Sequence, residues 1–231
     1  ALAAQKLVAD ARVHRVDAIE GKGSGSLFLL HGPPGVGKTL TAEALADHYG
    51  RPLYCLTFGE LGSSVSELES RMNEVLQLCS AWRCVCLLDE GDALVERREK
   101  GALLLNSLVS VLLKSLDSFE GLLFLTTNRV AMFDPAALSR VTLAIRYNPL
   151  DDEARAAVWT AVLERAGAQV GQFNLSLLSS RQYSGRDINN AIRLALALAE
   201  HRDKELDQSI LDEALAVADD FRAEIADPHA F

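Results

Sequence analysis

The chain has 231 residues, of which 49% are hydrophobic and 24% charged, and its formal net charge is −9. This is the composition of an ordinary globular protein, and it excludes a disordered chain, a collagen-like repeat and a small disulfide scaffold. An acidic chain without a basic run offers no broad electrostatic surface for a phosphate backbone. Nucleic acid is therefore the less favoured class of partner.

The sequence predicts neither a membrane span nor a signal peptide. The longest apolar-rich stretch, residues 101–113, is interrupted by Asn106 and Ser110, and it is shorter than the roughly 18 apolar residues that a span needs. The segment after Ala1 lacks a basic region followed by an apolar one. A start without methionine is typical of a module cut from a longer protein.

The four cysteines, Cys55, Cys79, Cys84 and Cys86, have no CxxC spacing. Because no histidine lies at ligand spacing either, we expect no zinc site. Cys84 and Cys86 are two apart in a strand-like run, so both are predicted to lie on one buried face. Free thiols of this kind favour an intracellular, reducing location.

Apolar runs bounded by glycine and proline alternate with stretches of helical period up to residue 148. Strands are predicted at 27–30, 52–56, 84–88, 122–126 and 142–146. Helices are predicted at 40–48, 65–80, within 103–119, and from Asp134 and Pro135 onward. This alternation indicates an α/β domain with a five-stranded parallel sheet sandwiched by helices.

The pattern changes after Pro149. Helices are predicted at 151–166, 185–201 and 209–221 with no strand between them, so we place a boundary near Asn148. The division is an α/β subdomain at 1–148 and a small all-helical lid at 149–231. Ser184 and Asp187 form a predicted capping box, and the helix after them carries a buried face at helical spacing: Ile188, Ala191, Ile192 and Ala195.

The segment between the first strand and the first helix matches G-x-x-x-x-G-K-[ST], the phosphate-binding P-loop, in the context that this motif requires. Its glycines let backbone N–H groups surround phosphate oxygens. We expect Lys38 to contact the β- and γ-phosphates and the Thr39 hydroxyl to ligate Mg²⁺. The predicted nucleotide-binding residues are Gly32, Pro33, Pro34, Gly35, Val36, Gly37, Lys38, Thr39 and Leu40.

Polar residues end two other predicted strands. Asp89 and Glu90 follow an apolar strand, and strand ends meet the ligand in a doubly wound sheet. We expect Asp89 to hold the hydrated magnesium and Glu90 to polarise the attacking water. Asn128, after the fourth strand, is predicted to orient that water and to sense the γ-phosphate.

These elements in this order resemble an AAA+ ATPase module. The resemblance covers most of the chain, from about Val16 to Ala218. Within the family, the sequence around the motifs is most similar to modules of large, poorly characterised fungal proteins. It implies Mg²⁺-dependent ATP hydrolysis. Arg140 matches the arginine finger that this family supplies to a neighbouring subunit, and Arg186 matches the arginine with which the lid senses phosphate.

A finger acting in trans requires a head-to-tail contact, which closes into a ring. The resemblance implies six identical subunits and the remodelling of an unknown protein client. One feature departs from the pattern, because segment 59–65 has no aromatic residue of the kind with which many family members thread a polypeptide. Two alternatives stay open: an assembly switch with little turnover and a clamp-loader-like DNA factor.

Overall fold

The computed structural model describes residues 25–61, 64–89, 121–132 and 141–226, together with residues 111, 114, 119, 138 and 139. Several predicted features lie outside these residues. They are most of the helix expected within 103–119, the start of the short helix at Asp134, the proposed base Glu90 and the proposed finger Arg140.

The core of the first part of the chain is a five-stranded sheet in the order β2-β3-β4-β1-β5, and every strand pair is parallel. The strands are β1 (Ser26–His31), β2 (Leu53–Thr57), β3 (Val85–Asp89), β4 (Leu122–Thr127) and β5 (Leu143–Arg146). The predicted α/β class and parallel sheet are confirmed. The strand β4 lies beside β1, so the polar end of β4 is next to the loop that follows β1.

The middle of each central strand is apolar because both faces of the sheet are covered. Odd-numbered β1 residues such as Leu29 pack in one buried cluster with helix α2 (Val65–Trp82). Even-numbered residues such as Leu30 pack in a second cluster with helix α1 (Lys38–His48). The same alternation runs through β3 and β4, as the period of two in a strand requires.

The contacts divide the chain into two units. Among the described residues, one unit contains the sheet, with those up to Pro33 and from Gly37 to Tyr147, and the other contains those from Asn148 onward together with Pro34–Val36.

The second unit is helical in its described residues. Its helices are α3 (Asp152–Arg165), α4 (Leu175–Ser180), α5 (Gly185–His201) and α6 (Gln208–Ala226). Trp159 is fully buried at the centre of its core. The predicted buried face of α5 is confirmed, and so is its capping box, in which Ser184 Oγ accepts from Asp187 N at 3.3 Å. Helix α4 was not predicted, because six residues are too few for a periodic pattern.

Cys79, Cys84 and Cys86 are free and buried between α2 and β3, as expected of Cys84 and Cys86, whereas Cys55 is exposed. Burial raises the pKa of the Cys84 thiol. Among the described residues, no three side chains of histidine, cysteine, aspartate or glutamate are grouped so that they could hold a metal ion. No helix in the described part of the chain is long and apolar enough to cross a membrane.

Candidate functional site

The P-loop leaves the sheet at the carboxyl end of a central strand and enters a helix directly. Strand β1 ends at His31 and α1 begins at Lys38. The N-cap residue is Gly37, which has no side chain that could accept a hydrogen bond from the helix N–H groups. The first turn contains no acidic residue. A helix start without a competing cap or carboxylate attracts an anion to its N–H groups.

Lys38 is the first residue of α1, at the end of the P-loop. Its side chain is 8% exposed, and its ammonium donates to three oxygens: Gly32 O at 2.8 Å, Pro33 O at 2.7 Å and Asn128 Oδ1 at 2.8 Å. These contacts satisfy a buried cation that would otherwise be costly. They also bring the predicted phosphate-binding lysine to the predicted sensor Asn128.

Asp89 lies at the end of β3 and accepts hydrogen bonds from two hydroxyls. Thr39 Oγ1 is 3.1 Å from each of its carboxylate oxygens, and Thr126 Oγ1 donates to Asp89 Oδ1. The two residues that the sequence assigned to magnesium are thus side by side. Hydroxyl and carboxylate oxygens are hard donors of the kind that Mg²⁺ prefers, with water and phosphate completing its shell.

The end of β4 is fixed to the start of the P-loop. Gly32 N donates to Thr127 O at 3.2 Å, and Thr127 Oγ1 accepts from Arg129 N at 3.0 Å. These bonds hold the turn that carries Asn128. The position of Asn128 beside Lys38 is therefore fixed by hydrogen bonds of the backbone on either side of it.

The electrostatics of this region favour an anion. The pKa of His31 is lowered by burial, and further by the positive charges of Arg146 and Lys38. A histidine that already stands near two cations is thereby kept neutral at pH 7. Lys38 and Arg146 both place positive charge near His31, and positive charge of this kind attracts phosphate.

The middle of the P-loop belongs to the second unit. Gly185 N donates to Gly35 O at 2.9 Å. Gly35 has φ +73°, and a Cβ there would lie 2.5 Å from Ser184 Oγ and 3.3 Å from Arg186 Cβ. Only glycine combines this left-handed backbone with so close an approach. Arg186 therefore starts its exposed side chain next to Pro34–Val36.

The structure thus brings Lys38, Thr39, Asp89 and Asn128 together in the first unit, and Gly35 with Arg186 in the second. Leu40 is on α1 and 61% exposed. Sequence reasoning missed Thr126, although a threonine at the end of an apolar strand is a usable signal. It also missed Tyr147, whose hydroxyl donates to Thr41 Oγ1 at 2.6 Å and ties α1 to the segment after β5.

Residues 28–148, more than half of the chain, match the model of the ATPase family associated with various cellular activities, abbreviated AAA. The chain belongs to the AAA family. Two archaeal relatives illustrate its range. A 26S proteasome regulatory subunit homologue of Methanocaldococcus jannaschii is 32% identical over 76% of this chain and 50% of its own length. A cell division cycle protein 48 homologue of Archaeoglobus fulgidus is 35% identical over 74% of this chain and 25% of its own length.

Solved AAA domains share the fold. The crystal structure of the FIGL-1 AAA domain in complex with ADP has a TM-score of 0.64 and 20% identity, and the match covers 84% of this chain and 72% of that one. The chain spans half or less of the two archaeal relatives. Since both are archaeal, the narrower likeness to fungal proteins stays a prediction.

Proposed function

We propose that this AAA domain binds ATP with Mg²⁺ through the P-loop and hydrolyses it. The observation that carries the proposal is the convergence of the two strand ends on the P-loop: Lys38 Nζ lies 2.8 Å from Asn128 Oδ1, and Thr39 Oγ1 lies 3.1 Å from both Asp89 oxygens. A buried ammonium, an uncapped helix start and a hydroxyl–carboxylate pair are the components from which phosphoryl-transfer sites are built.

Each side chain has a role in this proposal. Lys38 exchanges some of its oxygen contacts for phosphate oxygens, while Thr39 and Asp89 hold Mg²⁺, which supplies charge neutralisation on the phosphates when bound. Glu90 takes a proton from the attacking water as general base. Asn128 orients that water through its exposed amide.

The second unit has the role of a lid. Arg186 begins beside Gly35, which favours a contact between its guanidinium and phosphate oxygens. A cation in the first turn of α5 gains nothing from the helix dipole, so a phosphate partner explains its place better than local stability does. The division into an α/β subdomain at 1–148 and a lid at 149–231 is part of the same proposal.

The site is completed by a neighbour in this proposal. Arg140 reaches the γ-phosphate of the next subunit in a ring of identical chains. ATP turnover should therefore depend on protein concentration. The work performed is the remodelling of a protein or complex. In segment 59–65, Leu61 is 1% exposed and Glu60 accepts a hydrogen bond from Thr57 N at 2.6 Å. Both residues therefore stabilise the local structure, which favours remodelling over threading of a polypeptide by this segment.

The test is Mg²⁺-dependent ATP turnover as a function of protein concentration, for wild type, Glu90→Gln and Arg140→Ala. We expect specific activity to rise with concentration, and both variants to lose turnover by roughly 10³-fold or more, as removal of a catalytic base or finger does, while retaining ATP binding. Arg181→Ala is a matched control, since Arg181 is paired with Asp219 within the second unit.

Two outcomes separate the alternatives. A wild type that binds ATP yet turns over no faster than Glu90→Gln at every concentration would make the chain an assembly switch. Turnover that depends on added DNA would favour the clamp-loader-like function.

A further inference from the structure

Strand β4 contains a buried hydroxyl that the roles above do not use. Thr126 is 1% exposed and follows four apolar residues of β4. Burying a hydroxyl is unfavourable unless it is hydrogen-bonded. Here its oxygen donates to Asp89 Oδ1, so its placement is explained by the carboxylate on the neighbouring strand.

The sheet register places these two side chains within reach of each other. Strands β3 and β4 pair in parallel from Val85 with Leu122 to Leu88 with Leu125. The next residues along the two strands are Asp89 and Thr126. Paired residues of neighbouring strands point to the same face of a sheet, so their side chains meet.

The strand on the other side of β3 does not supply such a donor. Thr57 of β2 is the register partner of Asp89, but its hydroxyl donates to Glu60 Oε2 at 2.9 Å. Asp89 is thus flanked by two threonines, of which Thr126 donates to its carboxylate and Thr57 donates to a residue of its own loop. This difference provides an internal comparison.

We propose that Thr126 is a positioning residue that sets the rotation of the Asp89 carboxylate for magnesium, an inference that rests on the proposed function. Thr39 Oγ1 lies at 3.1 Å from both carboxylate oxygens and by itself selects no rotation. The Thr126 hydroxyl bonds to Oδ1, which makes the two oxygens inequivalent. Oδ2 is then held in a defined direction for the metal and its water ligands, as outer-shell hydrogen bonds do at other metal sites.

The test is the Mg²⁺ dependence of binding of a non-hydrolysable ATP analogue, measured by calorimetry in EDTA and at increasing Mg²⁺. Thr126→Val keeps the shape of the side chain and removes the hydroxyl. We expect the Mg²⁺ concentration at half effect to rise roughly tenfold, the lower end of the range for outer-shell partners, with unchanged affinity in EDTA. Thr126→Ser restores the hydroxyl and the wild-type value, and Thr57→Val, the matched control on the other flank, leaves it unchanged.

The outcomes distinguish this inference from the proposed function. If wild type shows a Mg²⁺ effect and Thr126→Val shows the same one, Thr126 does not position Asp89, although the proposed function stands. If Thr57→Val and Thr126→Val shift the midpoint equally, the effect is a general response of the sheet and the inference is overturned. A wild type whose binding ignores Mg²⁺ refutes both. Unchanged affinity in EDTA reports that each variant is folded.

Discussion

Replacing Gly35 by alanine should damage the P-loop in two separable ways. At φ +73° an L-residue is strained, by about 1–2 kcal/mol. The new Cβ would also lie 2.5 Å from Ser184 Oγ, so Ser184 must move and its capping bond to Asp187 N is lost. A lost N-cap adds about 1 kcal/mol, and the expected total is about 2–3 kcal/mol.

The second unit offers a matched control for the strain alone. Gly167 has φ +75°, and a Cβ there would meet nothing within 4 Å. Gly167→Ala should therefore lose about 1–2 kcal/mol without disturbing the cap. Gly171→Ala, which has open space and no positive φ, should be close to neutral.

The assay is urea unfolding followed by the fluorescence of Trp159, which is buried in the second unit. A Trp82→Phe background removes the other tryptophan, which is exposed. We expect Gly35→Ala to be less stable than Gly167→Ala by about 1 kcal/mol, and to bind ATP more weakly, whereas Gly167→Ala binds as wild type does. Equal losses of stability and unchanged ATP binding in Gly35→Ala would refute the close approach of Ser184 to the loop.

Two further predictions concern pH and a buried cation. Because burial and Arg146 lower the pKa of His31 in the folded protein, its contribution to stability should be complete above pH of about 6.5, the pKa in an unfolded chain, and should be lost as pH falls through the lower folded value. Urea unfolding between pH 7.5 and 5 should therefore show a smaller decline for His31→Gln than for wild type, and identical declines would contradict this. Arg155 of α3 is 2% exposed and donates to Ser179 O at 2.6 Å. Arg155→Met should lower the free energy of unfolding by about 2–4 kcal/mol, since buried acceptors lose their donor. Arg165→Met, at an exposed position of the same helix, should change it little. A loss for Arg155→Met no larger than that for Arg165→Met would show that the buried contacts contribute nothing.

The sequence predicted the sheet well because its physical signals are local. An unbroken run of apolar residues that ends in polar ones, as in β3, marks a central strand wherever it lies in the chain. The P-loop motif and the polar residues after two strands likewise located Lys38, Thr39, Asp89 and Asn128. Their convergence follows from parallel pairing, which brings the carboxyl ends of strands to one edge.

What could not be predicted depends on register and on short elements. Predicting the contact of Thr126 with Asp89 requires the strand order, which makes β3 and β4 neighbours, and the register of their pairing. The sequence of either strand alone indicates neither. Helix α4 is too short to show a period. The packing of Gly35 against Gly185 depends on residues that are far apart in sequence, and the P-loop motif marked only Gly35.

The strict alternation of buried side chains in β3 also determines which genetic changes the site can tolerate. Both faces of this strand are covered, so exchanging one apolar side chain for another of similar size disturbs only local packing. Deleting a single codon within the strand is different, because every residue beyond the deletion turns to the opposite face. Asp89 would then point away from Thr39 while retaining its identity. Lineages of this domain should therefore accumulate apolar exchanges of similar size at Val85–Leu88 but almost never change the length of β3.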